Sequence, residues 1–171
     1  MPATPDDLFA YLDRLGIAHA TVTHAPAFTV EEARALHGRV AGGYTKNLFL
    51  KDKKDALFLV VALEDAVIEL KSLHRRLGAS GRFSFGSAEL LHATLGVEPG
   101  AVTPFGALND TDVRVSVVLD AAMMRHPMLN YHPLRNTMTT SIARDDLVKF
   151  LAATGHPPRI LAVADEPRPS P

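Results

Sequence analysis

Apolar residues near the N-terminus recur at helical spacing. Leu8, Phe9, Leu12 and Leu15 form one face behind Thr4, with Pro5 in the first turn and Gly16 at the end. His19 to His24 then alternates as a short strand that Pro26 stops. Thr29 and Glu32 stand at capping-box spacing and open a second helix through Leu36. Beyond Gly42-Gly43 comes a strand-like run, Thr45 to Leu50, and a charged turn, Lys51 to Asp55. Ala56 to Leu63 is almost continuously apolar, the pattern of a strand covered on both faces. The two runs predict a hairpin whose second strand lies inside a sheet.

The remaining pattern predicts a helix over Leu70 to Leu77 stopped by Gly78, a strand over Arg82 to Phe85, and a Ser87-capped helix ending at Leu95-Gly96. A loop with Pro99, Gly100 and Pro104 leads to a buried strand, Val113 to Leu119. Met128 to Tyr131 and Thr137 to Ile142 read as strands, Asp145 to Thr154 as a helix closed by Gly155, and Ile160 to Val163 as a last strand. Met123, Met124, Met128 and Met138 read as core filler. The expected fold class is α/β: one domain over residues 1–164, with a mixed, largely antiparallel sheet flanked by helices. Residues 165–171 read as a proline-rich tail.

Composition narrows the function. With 171 residues, 47% of them hydrophobic, the chain can bury one good core. Its 18 basic and 19 acidic residues exclude a bulk polyanion binder, so any nucleic-acid contact must come from a local patch. The chain has no cysteine, hence no disulfide, thiolate nucleophile or Cys-based zinc site. No apolar run is long enough to span a membrane, and Met1 to Asp7 lacks signal-peptide layout, so a cytoplasmic location and no membrane association are expected. Dinucleotide, Walker and nucleophile-elbow motifs are missing, and no histidine pair has metal-binding helical spacing; neither metal nor cofactor is expected.

Three features carry candidate chemistry. Thr45-Lys46-Asn47 places an ammonium and an amide where a glycine loop becomes a strand, suited to a ligand carbonyl or phosphate. The same residues also fit the solvated start of an edge strand. Gly100-Ala101-Val102-Thr103-Pro104 frees the backbone at one end and stiffens it at the other, so its N–H groups could cradle a carbonyl or a water; an ordinary turn fits too. Asn130 to Asn136, with Tyr131 and His132, is dense in hydrogen-bonding groups, which a polar turn packed by Tyr131 would also explain.

These segments, in this order, resemble the YbaK/ProX family of trans-acting prolyl-tRNA editing proteins, relatives of the insertion domain of bacterial prolyl-tRNA synthetases. The resemblance runs from the N-terminal helix to about Val163 and includes His24-Ala25-Pro26-Ala27-Phe28-Thr29 and Thr139-Thr140-Ser141-Ile142. The lysine and the G-x-x-x-P loop mark the whole family. Lys46-Asn47 and Asn130-Tyr131-His132-Pro133-Leu134 look like the branch that clears alanine from proline tRNA. The resemblance implies an aminoacyl-tRNA hydrolase acting on Ala-tRNA(Pro), with Lys46, Asn47, Gly100 and His132 as catalytic residues. Phe28, Thr29, Thr45, Ala101, Val102, Thr103 and Pro104 would contact substrate. The implied partner is the charged acceptor end of tRNA(Pro), with prolyl-tRNA synthetase or an elongation factor as transient company. Alternatives are a deacylase for Cys- or Ser-tRNA, or a non-catalytic tRNA- or synthetase-binding module. Lys71 and Arg75, at i, i+4 on one helix face, and Arg76 beside them make a weak tRNA-binding candidate, and a solvated helix face is the competing reading.

Overall fold

The computed structural model describes residues 1–26 and 42–165. The expected helix from Thr29, and with it Phe28 and Thr29, lies outside them. Helix α1 (Pro5–Arg14) starts as the sequence predicts: Thr4 accepts the Asp7 N–H through its hydroxyl, and Asp7 accepts the Thr4 N–H in return. Leu8 and Leu12 are fully buried beneath it. Helices α2 (Leu70–Leu77), α3 (Ala88–Leu95) and α4 (Arg144–Ala153) follow, α3 opened by the Ser87 hydroxyl accepting the Leu90 N–H at 3.1 Å. Among the described residues no helix is long and apolar enough to cross a membrane.

Strands β1 (His19–Thr23), β2 (Gly43–Lys51), β3 (Leu57–Leu63), β4 (Ser84–Phe85), β5 (Val115–Asp120), β6 (Met128–Tyr131), β7 (Met138–Ala143) and β8 (Arg159–Leu161) form one mixed sheet. Its order is β1-β7-β6-β2-β3-β5-β8, with β4 beside the far end of β2. β3 is the interior strand its apolar run predicted, antiparallel to β2 and parallel to β5. Its alternate residues serve two cores. Leu57, Leu59 and Val61 join the cluster beneath α1, α3 and α4, while Phe58, Val60 and Ala62 join a second one beneath α2. Full burial of such side chains contributes about 1.5–3 kcal/mol each, which makes β3 the spine of the molecule.

Four sequence expectations shift. Val113 does not begin a strand: it is exposed and takes the left-handed φ of 52, and the strand starts at Val115. The cause is Asp110, whose carboxylate accepts the N–H groups of Arg114 at 3.1 Å and Val115 at 2.9 Å and turns the chain. The strand expected over Arg82 to Phe85 is confined to Ser84–Phe85, and the last strand is Arg159–Leu161 rather than Ile160 to Val163. Of the four methionines, Met123 is core, but Met128 is exposed on β6.

The turn between β2 and β3 is more than surface charge. Asp52 is buried, and its carboxylate accepts N–H groups of Lys54 and Ala56, each at 2.9 Å, and of Ser80 at 3.0 Å. Burial pulls that carboxyl upward, but the three N–H donors outweigh it and its pKa is lowered.

Candidate active site

The sheet parts where the sequence puts its most unusual residues. β2 pairs with β3 from Thr45 to Lys51. On its other side β6 runs parallel to it only at Gly43 and Tyr44, and β4 meets it only at Leu50 and Lys51. The edge from Lys46 to Leu48 therefore faces a gap between the described strands. Gly42, at φ 108, is required at this junction, because a Cβ there would stand 2.9 Å from the Met128 carbonyl oxygen.

The two strands are tied just before they diverge. The Thr45 hydroxyl donates to the Asn130 carbonyl at 2.6 Å, and the Asn130 amide donates to the Gly43 carbonyl at 3.2 Å. Ser141 on β7 donates to Asn130 Oδ1 at 2.6 Å, which locks the buried asparagine in place. Thr45 thus acts first as a strut of the gap.

Strand alternation separates the Lys46-Asn47 pair. Lys46 shares a face with Leu50 of the second cluster, and Asn47 shares the opposite face with Phe49 of the first. The half-buried Lys46 ammonium donates to the Ala66 carbonyl beyond β3. Asn47 Oδ1 is shielded from solvent and accepts no hydrogen bond among the described residues. A shielded acceptor without a donor costs about 1–3 kcal/mol, so this amide favours any ligand group that donates to it.

The predicted loop lies on the Asn47 side. Gly100 takes φ 91, a conformation other residues adopt at a penalty, and its Cα side faces the Asn136 amide. Ala101 is buried in the first core, Thr103 is fully buried, and its hydroxyl accepts the Phe105 N–H at 3.3 Å where Pro104 starts a 3₁₀ turn. Gly100 and the half-buried Val102 are what the loop presents outward; Thr103 and Pro104 brace it from below.

His132 follows β6. Its Nδ1–H donates to the Met138 carbonyl at 2.8 Å, which leaves Nε2 as the lone-pair nitrogen of the neutral ring. Burial holds its pKa below the ordinary histidine value; the Met138 bond opposes this, and the neighbouring His24 adds to the lowering. The His24 ring lies 6.3 Å away, centroid to centroid, fixed by Nδ1–H on the Ala25 carbonyl at 2.7 Å and by Thr139 at 2.8 Å from Nε2. The structure thus groups His24, His132 and Thr139, and separately Gly100 with Asn136. No described contact joins Lys46 to the Gly100 loop. Asn130, His24 and Thr139 stand in the sequence segments singled out above, yet their support of the site follows only from the pairing of β1, β6 and β7.

The weak tRNA candidate divides. Lys71 and Arg75 are exposed on α2, whereas Arg76 reaches the Asp165 carboxylate at 2.5 Å and the Ala162 carbonyl at 3.3 Å. Arg76 is turned toward its own chain and adds little to an outward patch.

Comparison with known proteins bears on this site. The family model of the aminoacyl-tRNA editing domain matches residues 24–150. The prolyl-tRNA editing protein ProX of Acetoanaerobium sticklandii is 36% identical over 150 residues, covering 87% of this chain and 91% of ProX. The prolyl-tRNA synthetase associated domain-containing protein 1 of Danio rerio is 39% identical over 158 residues, covering 91% of this chain and 85% of that protein. A crystal structure described as a candidate trans-editing enzyme for prolyl-tRNA synthetase superposes with a TM-score of 0.71 at 17% identity, over 96% of this chain and 99% of that one, which shows the shared fold.

Proposed function

Because this chain belongs to the aminoacyl-tRNA editing domain family, among the YbaK/ProX proteins, we propose that it hydrolyses alanine from mischarged tRNA(Pro). A synthetase pocket shaped for proline rejects a smaller side chain poorly, since each missing methylene is worth only about 1–3 kcal/mol. A second site that admits alanine and excludes proline by size supplies the missing discrimination.

The observation that carries this reading is the parted edge of β2, with Lys46 and Asn47 at a gap whose far wall leads to His132. Water adds to the ester carbonyl, the bond to the ribose oxygen breaks, and alanine leaves as the free acid while the ribose hydroxyl is restored. An aminoacyl ester is already activated, so positioning a water and stabilising the oxyanion suffice. Lys46 exchanges the Ala66 carbonyl for the ester carbonyl or the adjacent phosphate and offsets the charge that develops. Asn47 offers its unpartnered Oδ1 to the substrate ammonium or to the attacking water. Backbone groups at Gly100 and Val102 contact the carbonyl and the water, and a ribose hydroxyl carries the proton to the leaving oxygen. His132 shapes the pocket from a fixed orientation.

The test is single-turnover deacylation of Ala-tRNA(Pro) by the wild type and Lys46→Ala. A loss of about 100- to 1000-fold is expected, as for removal of an oxyanion donor elsewhere. Equal rates would remove the lysine from the mechanism.

A further inference from the structure

β3, β5 and β8 run parallel, and their carboxyl ends open on a cavity of about 490 Å³ whose lining includes none of the residues proposed for the reaction. A crevice beyond the carboxyl ends of parallel strands is the usual ligand position in open α/β sheets, and volumes of about 300–1000 Å³ suit small molecules. Its walls include Ala66, Ala121 and Ala164, small side chains that leave room for an aliphatic body.

Asp120, at the end of β5, lines this cavity with only 1% of its surface exposed. Its Oδ1 accepts the Val163 N–H at 3.0 Å, and its Oδ2 accepts no hydrogen bond among the described residues. A carboxylate oxygen so far from water is costly until a donor reaches it. Asp65 adds a second acid to the lining, and a third, Asp165, is neutralised by Arg76 at 2.5 Å. The lining cation, Arg125, is exposed. These acids do not make a metal site: among the described residues no group of three or more His, Cys, Asp or Glu is arranged to hold an ion.

We propose that this cavity binds a small organic ammonium compound, its charged nitrogen on Asp120 and its carbon body against the alanines. Free amino acids and biogenic amines share that chemistry. The site shares a wall with the catalytic candidate, since the Ala66 carbonyl holds the Lys46 ammonium, but it needs no residue of the proposed reaction.

Isothermal titration of the full chain with n-butylammonium, putrescine and L-alanine tests the proposal. Saturable one-to-one binding of at least one probe is expected; binding of L-alanine points to amino acids, and binding of the other two alone to amines. Asp120→Asn keeps an oxygen for the Val163 N–H but removes the charge, and should weaken binding by about tenfold or more. Ala164→Phe, which fills the cavity and leaves the Asp120 carboxylate in the sequence, should abolish binding and decides the matter if the first variant fails to fold. Failure of all three probes to bind, or unchanged affinity in both cavity variants, would overturn the proposal.

Discussion

His132 and His156 put one kind of side chain to opposite uses. His156 is almost wholly buried; its Nε2 lies 2.8 Å from Asp110 Oδ2 and its Nδ1 3.0 Å from the Thr154 hydroxyl. Asp110 in turn fixes the backbone entry to β5, so the pair fastens the end of α4 to the sheet. Both ring nitrogens are engaged, and nothing is left over for a ligand. His132 is half-buried, gives only Nδ1 to its own chain, and keeps Nε2 without a partner among the described residues. A histidine tied at both nitrogens closes a structure; one tied at a single nitrogen is aimed and still has a lone pair to offer.

The sharpest way to break that contrast is to remove Asp110. Leaving a buried partner unpaired costs about 3–5 kcal/mol, so Asp110→Ala should lower the melting temperature by on the order of 10 °C while deacylation per folded molecule stays unchanged. Thermal denaturation with an activity titration checks both halves. His132→Ala should do the reverse. Its rate should fall about tenfold with a small change in melting temperature, whereas loss of an obligatory general base would cost about 100- to 10,000-fold. A loss in that higher range would make His132 the base rather than a shaper of the pocket.

Acidification separates the two sites more gently. Burial lowers the His132 pKa, so the folded chain resists protonation that the unfolded chain accepts. Above about pH 7 this has no effect on stability. Below the unperturbed value of about 6.5 it is destabilising, and the penalty grows until the lowered folded value is passed. Urea titrations between pH 7 and 5 should show a decline that is shallower in His132→Ala than in the wild type; parallel curves would refute it. The smallest effect concerns α2. Arg75→Ala should weaken tRNA binding about twofold at low salt, and Arg76→Ala should act on stability instead, because Arg76 already pairs with Asp165. Filter binding and thermal melts on the two variants distinguish them.

Elements whose cause is local were legible in the sequence. The Thr4 and Ser87 caps, the doubly covered β3 and the stop at Gly78 follow from residues within one turn or one strand. Those set from afar were not. Val113 looks like a strand residue until the Asp110 carboxylate turns the chain beside it, and nothing local reveals that β2 and β6 touch at two positions only. The candidate site divides the same way. Lys46, Asn47, Gly100 and His132 stand out by residue type and order, whereas the full burial of Thr103, the inward turn of Arg76 and the support of His132 by His24 depend on tertiary packing. Phe28 and Thr29 fall outside the described residues.

The most direct measurement is hydrolysis of one tRNA(Pro) carrying alanine, serine, cysteine or proline in turn, under single-turnover conditions. Alanine is expected to be removed fastest and proline to be spared. Release of proline as fast as alanine, or no release of any of the four, would contradict it.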